Sequence, residues 1–267
     1  RAGTGGRDGA RPFHAAQPGW NNCHHRDIRA GKLMVRRIVL IGSLALIAVI
    51  LFLPLSLAAR IIGLDDMGVS ARQLGGTIWS GQMEQAHMGA LDLGTLDVGL
   101  NPAPLLLGRA TMDFDRVHSN TMPDLSGTIT MASGLRAVEG LTGTILGSGD
   151  SGLPIEQISF TDAQATFTDG RCTSASGRVQ LVLGIRFAGL DLRHGLSGDM
   201  DCEGDRLRAV LNGESGMEKL TIRIDGDGKY LARFGVQSAD PMLGAALTAA
   251  GFGSTAEGYV RGFRGQF

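Results

Sequence analysis

ALDLGTLDVGL, residues 90–100, decides the fold. Leu91, Leu93, Leu96, Val98 and Leu100 alternate with polar or small residues, the period of a half-buried strand. The phase slips once, at Gly94-Thr95, where glycine inside a strand predicts a bulge or a turn. Asn101-Pro102-Ala103-Pro104 must end the ladder, because proline gives no N–H and restricts the residue before it. Leu105-Leu106-Leu107-Gly108 then leads into a second alternation over Arg109–Val117, with Ala110, Met112, Phe114 and Arg116 on one face.

Outward from that stretch the same grammar continues. The chain has 41 glycines, about twice the usual 7 per cent share, and they follow no collagen period. They interleave with short apolar alternations, which predicts many strands joined by tight turns. Gly76-Thr77-Ile78, Gly127-Thr128-Ile129 and Gly143-Thr144-Ile145 recur, with Gly177-Arg178-Val179 as a looser copy. Each reads as a turn exit into a strand; the irregular spacing excludes a fixed-period solenoid. Further strands are predicted over Gln82–Met88, Ile158–Thr168, Val179–Leu192, Leu207–Leu211 and Tyr259–Phe267. Leu220–Ile224, Asp225-Gly226-Asp227-Gly228 and Lys229–Val236 read as a hairpin whose Asp-Gly pairs suit positive φ. Met242–Ala250 is predicted helical, with Asp240 as N-cap, Pro241 at the first position and Gly251 as stop.

Upstream, Ile38–Ala59 (IVLIGSLALIAVILFLPLSLAA) lacks Asp, Glu, Lys, Arg and His. As one helix it would rise about 33 Å, enough to cross a hydrocarbon core of roughly 30 Å. It is longer than the h-region of a cleaved signal peptide, despite small residues at Ser56 and Ala58. Lys32, Arg36 and Arg37 precede it, so the positive-inside rule leaves the N-terminus cytoplasmic and everything after Ala59 across the membrane, in a bacterium the periplasm. Residues 1–33 are Gly-, Arg- and His-rich, and Met34-Val35-Arg36-Arg37 resembles a start; the stretch before it is expected to be a disordered tail or an over-extended start. The expected organisation is residues 1–33, an anchor segment over 34–60, and a β-rich domain over 61–267.

Composition narrows the function. A net charge of −1 and few aromatic residues argue against a nucleic-acid partner. Two cysteines, Cys172 and Cys202, follow the apolar run, and an oxidising compartment predicts a disulfide between them; two buried thiols are the alternative. No catalytic constellation is legible. Gly149-Asp150-Ser151-Gly152 resembles a serine-nucleophile run, yet a triad needs several matched parts, and His87 and His118 stand in unmatched contexts. Asp225-Gly226-Asp227 lacks the later ligands of a calcium loop, His194 stands alone, and Cys23-His24-His25 lacks partners at zinc spacing. No enzymatic activity, cofactor, metal or catalytic residue is expected.

Four features resemble the family of type II secretion system protein N: the short basic start with one anchor; Gly76-Thr77-Ile78-Trp79-Ser80-Gly81; Leu96–Gly108 with its Asn101-Pro102 and leucine triplet; and Asp225-Gly226-Asp227-Gly228-Lys229-Tyr230 followed by a helix and Gly258-Tyr259. The resemblance departs at Gly99, where it implies an aromatic residue. It implies a non-enzymatic, single-pass component of the bacterial inner membrane that takes part in export from the periplasm and contacts other secretion components. The expected fold is mainly β: a transmembrane helix, then a curved antiparallel periplasmic sheet with one short C-terminal helix. Trp79 is the candidate interaction residue, its ring either packed in the core or anchoring a partner. The alternative is an anchored lipid-binding or lipid-transfer protein, which an apolar groove on the inner face of the sheet would favour.

Overall fold

The computed structural model describes residues 24–62, 68–89, 91–118, 122–147, 155–183, 186–187, 190–191 and 194–266. Two compact units divide the chain between Ile50 and Leu51. In the first unit, helix α1 (His24–Leu51) exposes apolar side chains all round over residues 38–51, among them Ile38 at 60%, Ile41 at 69% and Leu44 at 69%.

The apolar run is not one helix through to Ala59. α1 stops at Leu51, Pro54 bridges to Thr77, and a second helix, α2 (Leu55–Ile62), begins at once. Pro54 has no N–H for a helical carbonyl four residues back, and its ring clashes there. Leu55 and Ala59 then turn inward and become buried in the β unit, leaving Leu57 and Arg60 outside. Among the described residues no helix is long and apolar enough to cross a membrane.

The second unit is one antiparallel meander. β1 (Val69–Gly76), β2 (Gly81–Met88) and β3 (Leu91–Asn101) are followed by the single turn α3 (Pro102–Leu105). Then come β4 (Ala110–Arg116), β5 (Leu125–Ala132), β6 (Leu135–Gly147), β7 (Ile155–Thr168) and β8 (Arg171–Leu183). A small separate pair, β9 (Arg186–Phe187) with β10 (Leu190–Asp191), intervenes before β11 (Leu196–Glu203), β12 (Arg206–Gly213), β13 (Glu218–Ile224) and β14 (Lys229–Val236). Helix α4 (Pro241–Ala249) and the short β15 (Gly253–Thr255) precede β16 (Gly258–Gln266), which inserts between β14 and β15. Among the described residues the sheet has 14 strands, β1 and β15 forming its edges. The strand expected over Val179–Leu192 thus begins earlier, at Arg171, and ends at Leu183, the small pair following among the described residues.

Three of the recurring glycine units are not turn exits. Gly127, Gly143 and Gly177 lie inside β5, β6 and β8, beside register slips in the β5–β6, β6–β7 and β7–β8 pairs. Gly143 (φ 129°) and Gly177 (φ 107°) hold conformations that disfavour a side chain. A Cβ on Gly143 would stand 2.2 Å from the Asp124 carbonyl oxygen, so a neighbouring strand occupies that space. Such bulges bend long strands and raise their twist. The bend is large enough that Arg136, at the start of β6, donates to the Gly226 carbonyl in the β13–β14 turn at 3.0 Å.

Two apolar cores sit on this sheet. The larger gathers Leu181, Leu196, Leu211, Leu220, Phe234 and Val236 under Leu247 of α4 and Phe252, the two phenyl rings meeting edge-on at 5.9 Å. α4 starts as expected: the Asp240 carboxylate accepts from the Met242 N–H at 2.8 Å, and Pro241 is first in the helix. The smaller core gathers Leu55, Met83, Ala86, Leu96, Val98, Leu125 and Ile145.

The Cys172–Cys202 disulfide is present, with Cα atoms 5.7 Å apart, joining β8 to β11 beyond their paired stretch. Beside it, Arg208 binds Asp201 and Glu203, and Arg223 binds Glu203. The Arg208 hydrogen bond holds the Asp201 carboxyl below its ordinary range, and the Arg223 bond does so for Glu203. Solvent screens this network, so its contribution to stability is small.

Candidate interaction surface

Trp79 stands in the β1–β2 connection, half-buried and outside both cores. The loop around it joins three parts of the fold. Ile78 donates its N–H to the Leu53 carbonyl at 3.1 Å and accepts from the Leu100 N–H at 2.9 Å. Thr77 donates to the Ser80 carbonyl at 3.1 Å. Glycines allow this crowding: a Cβ on Gly76 would stand 2.6 Å from the Ser80 oxygen, and one on Gly81 2.7 Å from a Leu55 methyl. The departure at Gly99 also has a local reason, since a Cβ there would stand 3.0 Å from the Trp79 carbonyl oxygen. The loop is therefore a fixed platform.

The β3–β4 connection lies at the same end of the sheet. Asn101 accepts from the Ala103 N–H at 3.1 Å and caps α3, whose proline-set backbone then turns through Leu106 and Leu107. Leu107 donates to the Pro104 carbonyl at 2.9 Å and Gly108 to that of Leu105 at 3.0 Å, fixing the turn. Its leucines face outward: Leu106 is 89% and Leu107 79% exposed.

Arg116, placed by the alternation on an apolar face, is the buried charge of this half. The start of β3 pairs with the end of β6, while its later part pairs with β4. Where β4 runs out a fork opens, and Arg116 fills it. Its Nε donates to the Leu93 carbonyl at 2.8 Å and its Nη1 to those of Pro123 at 2.6 Å and Thr144 at 2.7 Å. A guanidinium has five N–H donors and no acceptor, which suits a gap lined by carbonyls. Burial lowers its pKa, opposed by Asp92 and Asp124. Gly94 (φ 73°), the predicted slip, is the close neighbour: a Cβ there would stand 3.3 Å from Arg116 Nε. The sequence signal was an arginine in phase with Ala110, Met112 and Phe114.

The other singled-out residues are not brought together. His118 lies 3.1 Å from Asp124, His87 3.8 Å from Asp92 and His194 3.9 Å from Glu214, each pair exposed or half-exposed. Among the described residues no group of three or more His, Cys, Asp or Glu could hold a metal. The Asp225 carboxylate points into its own turn, accepting from the N–H groups of Asp227 at 3.1 Å and Lys229 at 2.9 Å. Gly149-Asp150-Ser151-Gly152, Cys23 and residues 1–23 lie outside the described residues.

On the inner face, α4 covers only part of the larger core. Beside it lies an apolar cavity of about 330 Å³, lined by Ile158, Leu181, Leu211, Ile222 and Ala232, with Met88 from the other half. That volume is at the small end for a ligand site.

A single antiparallel sheet bent by its bulges, with β1 and β15 at its edges and two rigid turns at one end, defines the class: a mainly β protein. The family model of type II secretion system (T2SS), protein N, matches residues 67–261, and the chain belongs to that family. No curated protein and no solved structure matches the chain.

Proposed function

We propose that this chain is a non-enzymatic, membrane-anchored component of the type II secretion machinery, with α1 in the inner membrane and the β unit in the periplasm. Membership in the family supports a role as a secretion component. The observation supporting an anchor is α1 itself. Ile38–Leu51 exposes apolar groups on every side, an arrangement that is unfavourable in water and ordinary in lipid. Arg36 and Arg37 extend its reach by snorkelling, and a short span is accommodated by local thinning. The disulfide fits an oxidising compartment.

The Trp79 platform is the contact point for another secretion component in this reading. It is rigid, partly exposed and aromatic, as binding hot spots are. The adjacent β1 edge offers a template for strand addition. A photo-crosslinking residue at position 79, in cells making the whole machine, is expected to capture one secretion subunit, and Trp79→Ala to lower secretion without unfolding the protein. No capture together with unaltered secretion removes the platform from the reading. A topology reporter after Phe267 that is active only in the cytoplasm removes the anchor orientation.

A lipid-handling role draws on one observation, the 330 Å³ apolar cavity. Its size suits a small apolar group better than a two-chain lipid, so the secretion reading stands first.

A further inference from the structure

We infer that the Leu105-Leu106-Leu107 turn is a second membrane contact, dipping into the lipid surface on the side where the β unit is tethered. This rests on the reading of α1 as an anchor. Three observations carry it. The triplet is exposed, Leu105 at 37%, Leu106 at 89% and Leu107 at 79%, unlike Leu96 in the preceding strand β3, which is buried. The exposure is built in, because the Asn101 cap, Pro102, Pro104 and four backbone hydrogen bonds of 2.9–3.3 Å hold the turn in one shape. The turn also stands at the end of the sheet where the chain enters it, since Leu100 bonds Ile78 and Ile78 bonds Leu53. Phe52, just before that entry point, is 76% exposed as well.

The occupant is a lipid surface because of what surrounds the leucines. Arg109 follows the triplet directly and is exposed, the pairing of apolar tip and basic flank that suits acyl chains below and phosphate headgroups above. The tether keeps the tip at high effective concentration near the bilayer, so a shallow and individually weak insertion suffices. Two attachments at one end of the sheet, tether and tip, restrict the tilt of the β unit, where a tether alone would not.

The test uses the full chain with Cys23→Ser, the disulfide intact, in vesicles of phosphatidylethanolamine and phosphatidylglycerol. Spin labels go at Leu106→Cys, at Leu46→Cys in α1, and at Glu257→Cys, an exposed turn position at the other end of the strands. Position 106 is expected to be severalfold more accessible to oxygen than to a water-soluble nickel chelate, as at 46, with the reverse at 257. A label at 106 as open to the chelate as that at 257 overturns the inference. So does one shielded from both reagents, which marks a protein contact. A label at 46 in water overturns the anchor instead, so the two failures are distinguishable. Because Leu106 is almost wholly exposed, the substitution leaves the fold intact, and an unchanged unfolding midpoint confirms it.

Discussion

The two cores lie on one sheet but are built differently. Strands β11–β16 bury leucines and Phe234 beneath Leu247 and Phe252, with the disulfide at their margin. Strands β1–β6 bury Met83, Leu96, Val98, Leu125 and Ile145 with no phenyl ring among them, draw Leu55 from α2, and spend part of their interior on the Arg116 guanidinium. The C-terminal half is held by apolar area and a covalent link, the N-terminal half by hydrogen bonds that close a fork. The N-terminal half also carries the Trp79 platform and the leucine turn. Stability is therefore concentrated away from the proposed contacts, an arrangement that lets the contact end vary without endangering the fold.

Removing the largest buried side chain of the C-terminal core tests that contrast most severely. Phe234→Ala is expected to cost about 3–5 kcal/mol, the usual range for a buried phenylalanine that leaves a cavity. A denaturant melt of the variant measures it; a loss below about 1 kcal/mol would mean that the two halves are held equally loosely. Cys172→Ala with Cys202→Ala comes next. The link spans a sequence separation of 30 residues, for which the loop-entropy account gives about 3.6 kcal/mol. The expected result is that reductant lowers the midpoint of the parent by the same amount and leaves the double variant unmoved.

Much of this was legible in sequence, for reasons that differ by element. The Leu91–Leu100 alternation, the Asp225–Gly228 hairpin and the Asp240-Pro241 helix start are local signals, each satisfied within a few residues. The cysteine pairing followed from the count and the expectation of an oxidising compartment. The role of Gly127, Gly143 and Gly177 did not, because a bulge and a turn exit both need glycine, and only the partner strand distinguishes them. The break of the apolar run at Pro54 was hidden similarly: hydropathy continues through it, while Leu55 packs in one core with Met83, Leu96, Leu125 and Ile145, far along the chain. The leucine turn was visible as a triplet, but its exposure depends on the Asn101 cap and the proline-set backbone beneath it.

Arg116 gives the smallest and most discriminating test. Replacing it with methionine keeps the stem and removes every donor, leaving the carbonyls of Leu93, Pro123 and Thr144 without that partner in the fork. The expected loss is roughly 2–3 kcal/mol, since each uncompensated buried polar group costs on the order of 1–3 kcal/mol and water entering the fork recovers part of it. Arg116→Lys is expected to restore only a fraction, because an ammonium is a compact point charge that cannot span carbonyls on three segments at once. Hydrogen exchange then locates the damage. In Arg116→Met, amides of β3 and β6 should lose protection while those of β13 and β14 keep theirs. Equal loss in both places would make the sheet one cooperative body and dissolve the contrast between its halves.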